Sequence, residues 1–263
     1  MKILVCIKQV PALNNEDADK NTGLIIRTGE MILNAYDLFA IEAALRLKDK
    51  YAVEVDVITM GPASAKAVIR DAYAYGVDCG YLLSDKAFAG ADVLATSYAL
   101  FQGIKILDEY DLIICGKNTT DGDTGMVGSS LAKWLEIPYI PNINQIVIEE
   151  TGLMVTAVRE NHNAVIRLYN KCVITVEQKA YWPRVQNLKL KIASRKKDIR
   201  HLVLDDLEDR DPTHYGMKGS ATRVKKVYAP VNNSQSQIMI GDNDDVIDRI
   251  AEVIKRSVEW SKQ

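Results

Sequence analysis

Apolar residues in the first 140 positions alternate between short runs and longer stretches with helical spacing. The short runs, rich in β-branched residues, predict strands at residues 2–7, 54–60, 80–83 and 112–115. The stretches between and after them predict helices at residues 35–48, 63–74, 92–107 and 125–135. Strands separated by helix-length connections are typical of a parallel sheet with helices on both faces. We therefore predict an α/β fold with a parallel sheet sandwiched by helices.

From about residue 143 the pattern changes to short alternating segments, which predict antiparallel strands appended to the main sheet. The predicted strands are residues 145–149, 153–159, 165–169 and 172–177.

The C-terminal region has a separate pattern. Residues 205–235 contain few periodic apolar positions, and residues 230–237 have the composition of a polar linker. Residues 245–260 then predict an amphipathic helix whose apolar stripe is Val246, Ile250, Ile254 and Val258. This stripe must be buried, either on the same chain or on another polypeptide, and the linker favours a partner.

Composition and charge exclude several classes of function. The 263 residues are 48% hydrophobic and 26% charged, and the net charge of −2 argues against nucleic-acid binding. No apolar run is long enough to span a membrane, and the first run is too short for a secretory signal, so we expect a cytoplasmic protein. The four cysteines and three histidines are scattered, which predicts neither a disulfide framework nor a metal site. We find no catalytic triad, and expect no catalytic acid or nucleophile.

The connection after the fourth predicted strand is rich in glycine: Gly116, Gly122, Gly125 and Gly128. Glycines allow close backbone approach, and the free N–H groups at the start of the following helix can bind phosphate. The loop also contains Asp121 and Asp123, which would repel a pyrophosphate if they pointed at it. We expect Asp123 or Thr124 to cap the helix, with backbone N–H groups facing the anion. The alternative is an ordinary strand–helix connection with a good cap.

Residues 189–200, after the predicted antiparallel strands, form a basic stretch. It is either a solvated surface or a docking segment for an acidic partner.

The chain resembles the β subunit of electron transfer flavoproteins over nearly its whole length. The matching segments, in order, are residues 2–11, 33–37, 42–48, 59–62 and 116–128. Asn118 departs from the usual glutamine of this family.

This resemblance implies a Rossmann-like, adenine-nucleotide-binding fold and a heterodimer with a larger α subunit that carries a redox-active FAD. It also implies a second adenine nucleotide on the β subunit, either a structural AMP or, in electron-bifurcating members, a second FAD that accepts hydride from NADH. The matching nucleotide-binding positions are Cys6, Asn34, Ala35, Tyr36, Asp37, Met60, Gly116, Lys117, Asn118, Thr119, Thr120, Asp121, Gly122, Asp123, Thr124, Gly125, Met126, Val127 and Gly128.

Residues 88–98 are similar to the block that lies beside the isoalloxazine ring in bifurcating members. The positions concerned are Phe88, Gly90, Ala91, Asp92 and Thr96, and the 121–125 loop also has the bifurcating form. Gly90 and Ala91 would leave room for a flat ring. The alternative is a plain loop and helix start with Asp92 as the cap. The resemblance favours FAD over AMP.

Two further implications concern partners. Residues 183–188 align with the family's dehydrogenase-recognition loop, near 180–197, and Leu188 matches its partner-binding leucine. Residues 180–185 differ from the usual sequence there, and residues 33–39 and 215–220 look most like subunits that work with a lactate dehydrogenase or CoA-ester reductases. We expect a nucleotide-binding domain at residues 1–230, and at 231–263 a linker and an arm that packs on the α subunit.

The preferred hypothesis is a β subunit whose FAD takes hydride from NADH and splits the electrons. One electron would go to ferredoxin or flavodoxin, and the other through the α-subunit FAD to a lactate or acyl-CoA type dehydrogenase. The rival hypotheses are an electron carrier with structural AMP and a stand-alone nucleotide sensor.

Overall fold

The structure is a computed structural model that describes residues 1–12, 30–107, 109–223 and 244–260. The chain divides into two compact units, Met1–Val227 and Tyr228–Gln263. Within the described residues, no helix is both long and apolar enough to cross a membrane.

The described part of the first unit contains eleven strands and six α-helices. The strands are β1 (Lys2–Cys6), β2 (Gln9–Pro11), β3 (Met31–Leu33), β4 (Glu54–Met60), β5 (Cys79–Leu83), β6 (Leu112–Gly116), β7 (Tyr139–Glu149), β8 (Gly152–Val158), β9 (Asn163–Leu168), β10 (Cys172–Val176) and β11 (Arg200–Leu202). The helices are α1 (Ala35–Lys50), α2 (Lys66–Tyr75), α3 (Val93–Lys105), α4 (Val127–Leu135), α5 (Leu188–Ser194) and α6 (Gly216–Gly219).

Nine of the strands form one sheet in the order β11-β5-β4-β1-β6-β10-β7-β8-β9. Every pairing from β11 to β7 is parallel, and β8 and β9 continue the sheet in antiparallel pairing. The remaining strands, β2 and β3, pair with each other. This architecture confirms the predicted α/β class with appended antiparallel strands.

Alternate residues of the central strands face two different helical layers. Ile3 and Val5 pack into the core that contains α1 and α2, whereas Leu4 and Cys6 pack into the core that contains α3 and α4. The chain winds outward from β1 through β4 to β5 and then crosses back to β6 on the other side of β1. In such sheets, ligands bind outside the carboxyl ends of the strands at this reversal, here between β1 and β6.

One strand prediction is wrong in its pairing. Residues 172–177 were expected in the antiparallel extension, but β10 lies between β6 and β7 and pairs in parallel with both. All five residues of β10 are buried. A mostly apolar run, here interrupted by Thr175, is typical of a strand covered on both faces of a parallel sheet, whereas regular alternation is typical of a half-exposed strand.

The segment after residue 199 packs more closely than its sequence suggested. The short edge strand β11 was not predicted, because three residues give no measurable period. Further on, Leu207 and Tyr215 are completely buried although few apolar residues surround them in the sequence. Isolated anchors of this kind escape a search for periodicity.

In the second unit, the described residues form helix α7 (Asp244–Trp260), as predicted. Ile250 and Ile254 of the expected stripe are about half exposed. The side chain of Val258 and the predicted linker lie outside the described residues. The proposed packing of this helix on an α subunit stays a prediction.

Candidate functional site

The carboxyl ends of β1 and β6 and the first turn of α1 meet around Asn34. Its side chain is completely buried. The amide Nδ2 donates to the carbonyl oxygen of Asn118 at 2.9 Å, and the backbone N–H of Thr120 donates to Oδ1 at 3.3 Å. One buried amide thus fixes the start of the glycine-rich loop against α1.

Gly116 allows the last residue of β6 to touch the start of α1. A Cβ atom at this position would lie 2.9 Å from the carbonyl carbon of Tyr36 and 3.0 Å from the backbone nitrogen of Asp37, and would overlap the Asp37 carboxylate. Any side chain here would therefore push α1 and β6 apart.

Asp37 lies in the same junction and is buried. The backbone N–H of Lys8 donates to its Oδ2 at 2.7 Å. Burial raises the pKa of this carboxyl from its ordinary value of 3.8 to about 7, although the hydrogen bonds from Lys8 and Asn34 oppose the shift. The junction holds a carboxyl that changes charge near neutral pH.

The two loop carboxylates are both engaged within the protein. Lys8 Nζ donates to the Asp121 carboxylate oxygens at 2.7 and 2.8 Å, and the Asn118 amide donates to Asp123 Oδ1. Partial burial alone would raise the pKa of Asp121, but the hydrogen bond and charge of Lys8 hold that pKa below its ordinary value. Asp123 adopts a left-handed backbone conformation with φ 49°.

Helix α4 has no side-chain cap. It begins at Val127 after Met126, and neither Asp123 nor Thr124 accepts a hydrogen bond from its first turn. The prediction of such a cap is therefore wrong, because both Asn118 and the left-handed turn direct Asp123 elsewhere. The N–H groups of the first turn cannot bond within the helix, and they are what an anion at a helix start binds.

The start of α4 also lies close against the sheet. A Cβ atom at Gly128 would be 3.2 Å from Thr175 Cγ2 and 3.4 Å from the Tyr139 ring. Gly125, with φ +60°, turns the chain immediately before the helix. These glycines bring the helix start down to the strand ends.

Residues 88–92 form a second turn, after β5. Phe88 is buried with its ring centroid 5.3 Å from that of Tyr215. Asp92 caps α3: its Oδ1 accepts from the N–H of Ala95 at 3.1 Å, and its Oδ2 accepts from the N–H and hydroxyl of Thr222 at 2.8 and 2.9 Å. The alternative interpretation of Asp92 as a helix cap is confirmed.

The glycine of this turn has a structural cause. Gly90 has φ +72°, and the Cε atom of Met217 lies 3.2 Å from the place of a Cβ. The positive φ therefore favours glycine there with or without a ligand, and the ring-space argument from the sequence alone does not stand by itself.

Comparison with known proteins decides the family. A family model described as "Electron transfer flavoprotein domain" matches residues 22–207. The chain is 37% identical over 254 residues to the electron transfer flavoprotein subunit beta of Thermoanaerobacterium thermosaccharolyticum, covering 96% of this chain and 97% of that one. The chain belongs to the electron transfer flavoprotein family, as a β subunit.

Two other relatives of this flavoprotein subunit carry more specific names. It is 37% identical over 243 residues to the caffeyl-CoA reductase-Etf complex subunit CarD of Acetobacterium woodii, with 92% of each chain covered. It is 35% identical over 266 residues to protein FixA of Sinorhizobium fredii, with 98% of this chain and 93% of that one covered.

The predicted site residues of the flavoprotein subunit fall into two groups on the described structure. The first lies at the ends of β1 and β6, the start of α1, the β6–α4 loop and the start of α4. It comprises Cys6, Asn34, Ala35, Tyr36, Asp37, Gly116, Lys117, Asn118, Thr119, Thr120, Asp121, Gly122, Asp123, Thr124, Gly125, Met126, Val127 and Gly128. The second comprises Phe88, Gly90, Ala91, Asp92 and Thr96, after β5 and on α3. Half-buried Met60 ends β4, which lies between β1 and β5.

Three contacts of the site were missed from the sequence. Lys8 pairs with Asp121, Lys117 Nζ donates to Glu177 at 2.9 Å, and Thr222 bonds Asp92 across the fold. Lys8 and Lys117 each lie within two residues of a strand end, and this position could have identified them as site residues from the sequence. The sequence around Thr222 contains no such signal.

The four cysteines are free, and no group of His, Cys, Asp or Glu within the described ranges could hold a metal ion. Cys6 and Cys115 lie side by side on β1 and β6. A hydrogen bond with Cys115 and burial raise the pKa of the Cys6 thiol well above its ordinary value.

Leu188, the predicted partner-binding residue, begins the short helix α5. Its side chain is 73% exposed, and neighbouring Val185 is 92% exposed. The segment before it is fixed, because Arg184 donates to the buried carboxylate of Glu42 at 2.8 Å. Val185 and Leu188 are therefore exposed apolar side chains that follow an anchored residue.

Proposed function

We propose that this subunit binds FAD at the carboxyl edge of the sheet, with the diphosphate between β1 and β6. The observation that carries the proposal is the start of α4, which has no side-chain cap at the reversal point of the sheet. Family membership supports the same position.

The residues present fit an anionic nucleotide. Gly116 removes any side chain between α1 and β6, and Gly128 seats the helix start close to the strands. The carboxylates of Asp121 and Asp123, which could oppose a phosphate, already accept hydrogen bonds from Lys8 and Asn118. The loop therefore directs side-chain negative charge into internal bonds.

Two exposed apolar side chains at helix starts on the carboxyl edge of the sheet favour a flavin over a mononucleotide. Leu94, in the first turn of α3, is 43% exposed, and Met126, before α4, is 55% exposed. The last turn of α4 also contacts α3, since Trp134 Nε1 donates to Ser97 Oγ at 3.2 Å. In FAD, the isoalloxazine ring on the far side of the diphosphate from the adenine would cover such side chains. AMP ends at its single phosphate and has no ring on that side.

Bound FAD would accept hydride from NADH and pass electrons on singly, to ferredoxin or flavodoxin and through the α-subunit FAD to a dehydrogenase. The chain's own part is binding, orientation and tuning of the ring's electrostatics. Asn34 fixes the loop, Asp92 fixes the second turn, and no residue of this chain is assigned a catalytic role.

A second candidate is an electron carrier with structural AMP. One observation favours it: Asp92 and Gly90 are explained by the helix cap and by Met217, without a ring. The stand-alone sensor is no longer a candidate, because the chain is an electron transfer flavoprotein β subunit.

The proposed partners are the α subunit, bound through α7 within residues 231–263, and a dehydrogenase bound through Leu188. One relative's name, a subunit of a caffeyl-CoA reductase complex, supports a CoA-ester type of dehydrogenase over a lactate type.

An anaerobic NADH titration of the purified heterodimer tests this function. We expect NADH to bleach flavin absorbance in the wild type, and an Asn34→Ala heterodimer to retain less of the NADH-reducible flavin while keeping the α-subunit FAD. An undiminished content of NADH-reducible flavin in Asn34→Ala would contradict the proposed position, and no reduction by NADH in the wild type would contradict hydride acceptance.

A further inference from the structure

Residues 214–222 form a strap across the 88–92 turn. Tyr215 anchors it, since this side chain is completely buried with its ring centroid 5.3 Å from Phe88 and 5.4 Å from Tyr98. The Tyr215 hydroxyl donates to the carbonyl oxygen of Asp209 at 2.6 Å. One end of the strap is thus fixed in the core.

The middle of the strap bonds to the backbone of the turn. The N–H of Met217 donates to the carbonyl oxygen of Ala89 at 2.9 Å. Gly216 has φ +53°, and a Cβ there would lie 2.7 Å from the same carbonyl oxygen. A glycine is therefore required for this close contact.

The far end of the strap is held by Asp92. Its backbone N–H donates to Ser220 Oγ at 2.9 Å, and the Ser220 hydroxyl donates to the carbonyl oxygen of Gly216 at 2.7 Å. Thr222 adds two hydrogen bonds to the Asp92 carboxylate. Met217 therefore lies between two fixed points, on a turn and strap that form one hydrogen-bonded body.

The Met217 side chain is nevertheless 57% exposed. Its Cε atom lies 3.2 Å from the place of a Cβ on Gly90, and Leu94 is an exposed apolar side chain in the first turn of α3. A polarizable thioether makes favourable contacts with aromatic rings, worth about 0.3–1.5 kcal/mol. A fixed, exposed methionine on a strained turn is suited to contact a flat ring.

We propose that Met217 contacts the isoalloxazine ring, so that the strap supplies a ring-positioning residue which the 88–98 block alone lacks. This inference rests on the proposed function, since it requires FAD on this subunit. Its chemistry is recognition of an aromatic ring by an apolar, polarizable side chain.

Substitution of Met217 should change the midpoint potential of the bound flavin. In a Met217→Glu heterodimer, we expect the negatively charged reduced ring to bind about tenfold more weakly relative to the oxidised ring, which lowers the midpoint potential by about 30 mV for a two-electron couple. Met217→Leu, which keeps an apolar side chain of similar size, should restore the wild-type potential. The control is Val165→Glu, the same charge change at a 65% exposed valine of edge strand β9.

The measurement is spectroelectrochemical titration of the NADH-reducible flavin, with the thermal unfolding temperature of each variant as a check on folding. A potential unchanged in Met217→Glu, or shifted equally in Val165→Glu, would overturn the role of Met217 and leave the proposed function standing. A wild-type heterodimer without a second flavin would overturn the proposed function, and this inference with it.

Discussion

Helices α3 and α4 begin side by side at the same edge of the sheet, but their first turns are completed differently. Asp92 caps α3 and also bonds Thr222, so that this start is tied into the protein. Helix α4 has no side-chain cap, although aspartates lie just before it. A carboxylate at a helix start is stabilising. Helices α1 and α2 also begin without a side-chain cap, so what distinguishes α4 is its position after β6, at the reversal of the sheet.

Under the proposed function, the two helix starts have different roles. The β6–α4 loop has internally paired carboxylates and leads into the first turn of α4, which would bind a diphosphate. The β5–α3 turn is closed by its own hydrogen bonds and exposes apolar side chains, which would contact a ring. The following predictions test this difference, starting from the largest expected effect.

Gly116→Ala should damage the loop side most. The added Cβ would overlap the Asp37 carboxylate, and overpacking of this kind lowers the free energy of unfolding by about 3 kcal/mol. We also expect this variant to retain less nucleotide. Urea denaturation and nucleotide content measure both effects. Gly122→Ala is the control for stability, since its Cβ would meet only Thr119 Oγ1 at 3.6 Å. Equal stability of the two variants would contradict the close contact.

Asn34→Ala should come next. It removes the bonds to Asn118 and Thr120 and leaves their backbone groups without that partner, at a cost of about 2 kcal/mol. We expect at least about tenfold weaker nucleotide binding by calorimetry, whereas exposed Asn163→Ala should bind like the wild type. Undiminished affinity in Asn34→Ala would show that the loop does not depend on this amide.

Asp37→Asn should change the pH dependence of stability. Because the folded-state pKa is raised to about 7, the folded protein holds the proton more tightly than the unfolded chain. The contribution of Asp37 to the free energy of unfolding should therefore be largest below about pH 4 and should decrease as the pH rises to about 7. In Asp37→Asn this decrease should be absent, as measured by denaturation at several pH values. A decrease of the same size in the variant would assign it to other groups.

Asp92→Ala should have the smallest effect. Loss of the α3 cap costs about 1 kcal/mol, and the strap end is released from the turn. Denaturation of Asp92→Ala should show this loss of stability. The control, Asp205→Ala at an exposed aspartate, should unfold like the wild type. Diphosphate binding to the β6–α4 loop should be retained in Asp92→Ala, and its loss would contradict the division of roles.

Periodicity and breakers in the sequence predicted the parallel sheet, its helices and the glycine-rich loop, because these signals are local. They did not predict the position of β10, because an apolar run indicates a buried strand but not the strands with which it pairs. The cap of α4 was wrongly predicted because Asn118, five residues earlier in the same loop, engages the Asp123 carboxylate. The strap anchored by Tyr215 and Thr222 was missed for a different reason: its contacts join residues more than a hundred positions apart.

The most direct test of the central claim is the nucleotide content of this chain purified with its α subunit. Acid extraction and chromatography should release two FAD per heterodimer and no AMP. One FAD and one AMP would contradict the claim, and would mean that the exposed apolar side chains near residues 88–98 do not bind a flavin.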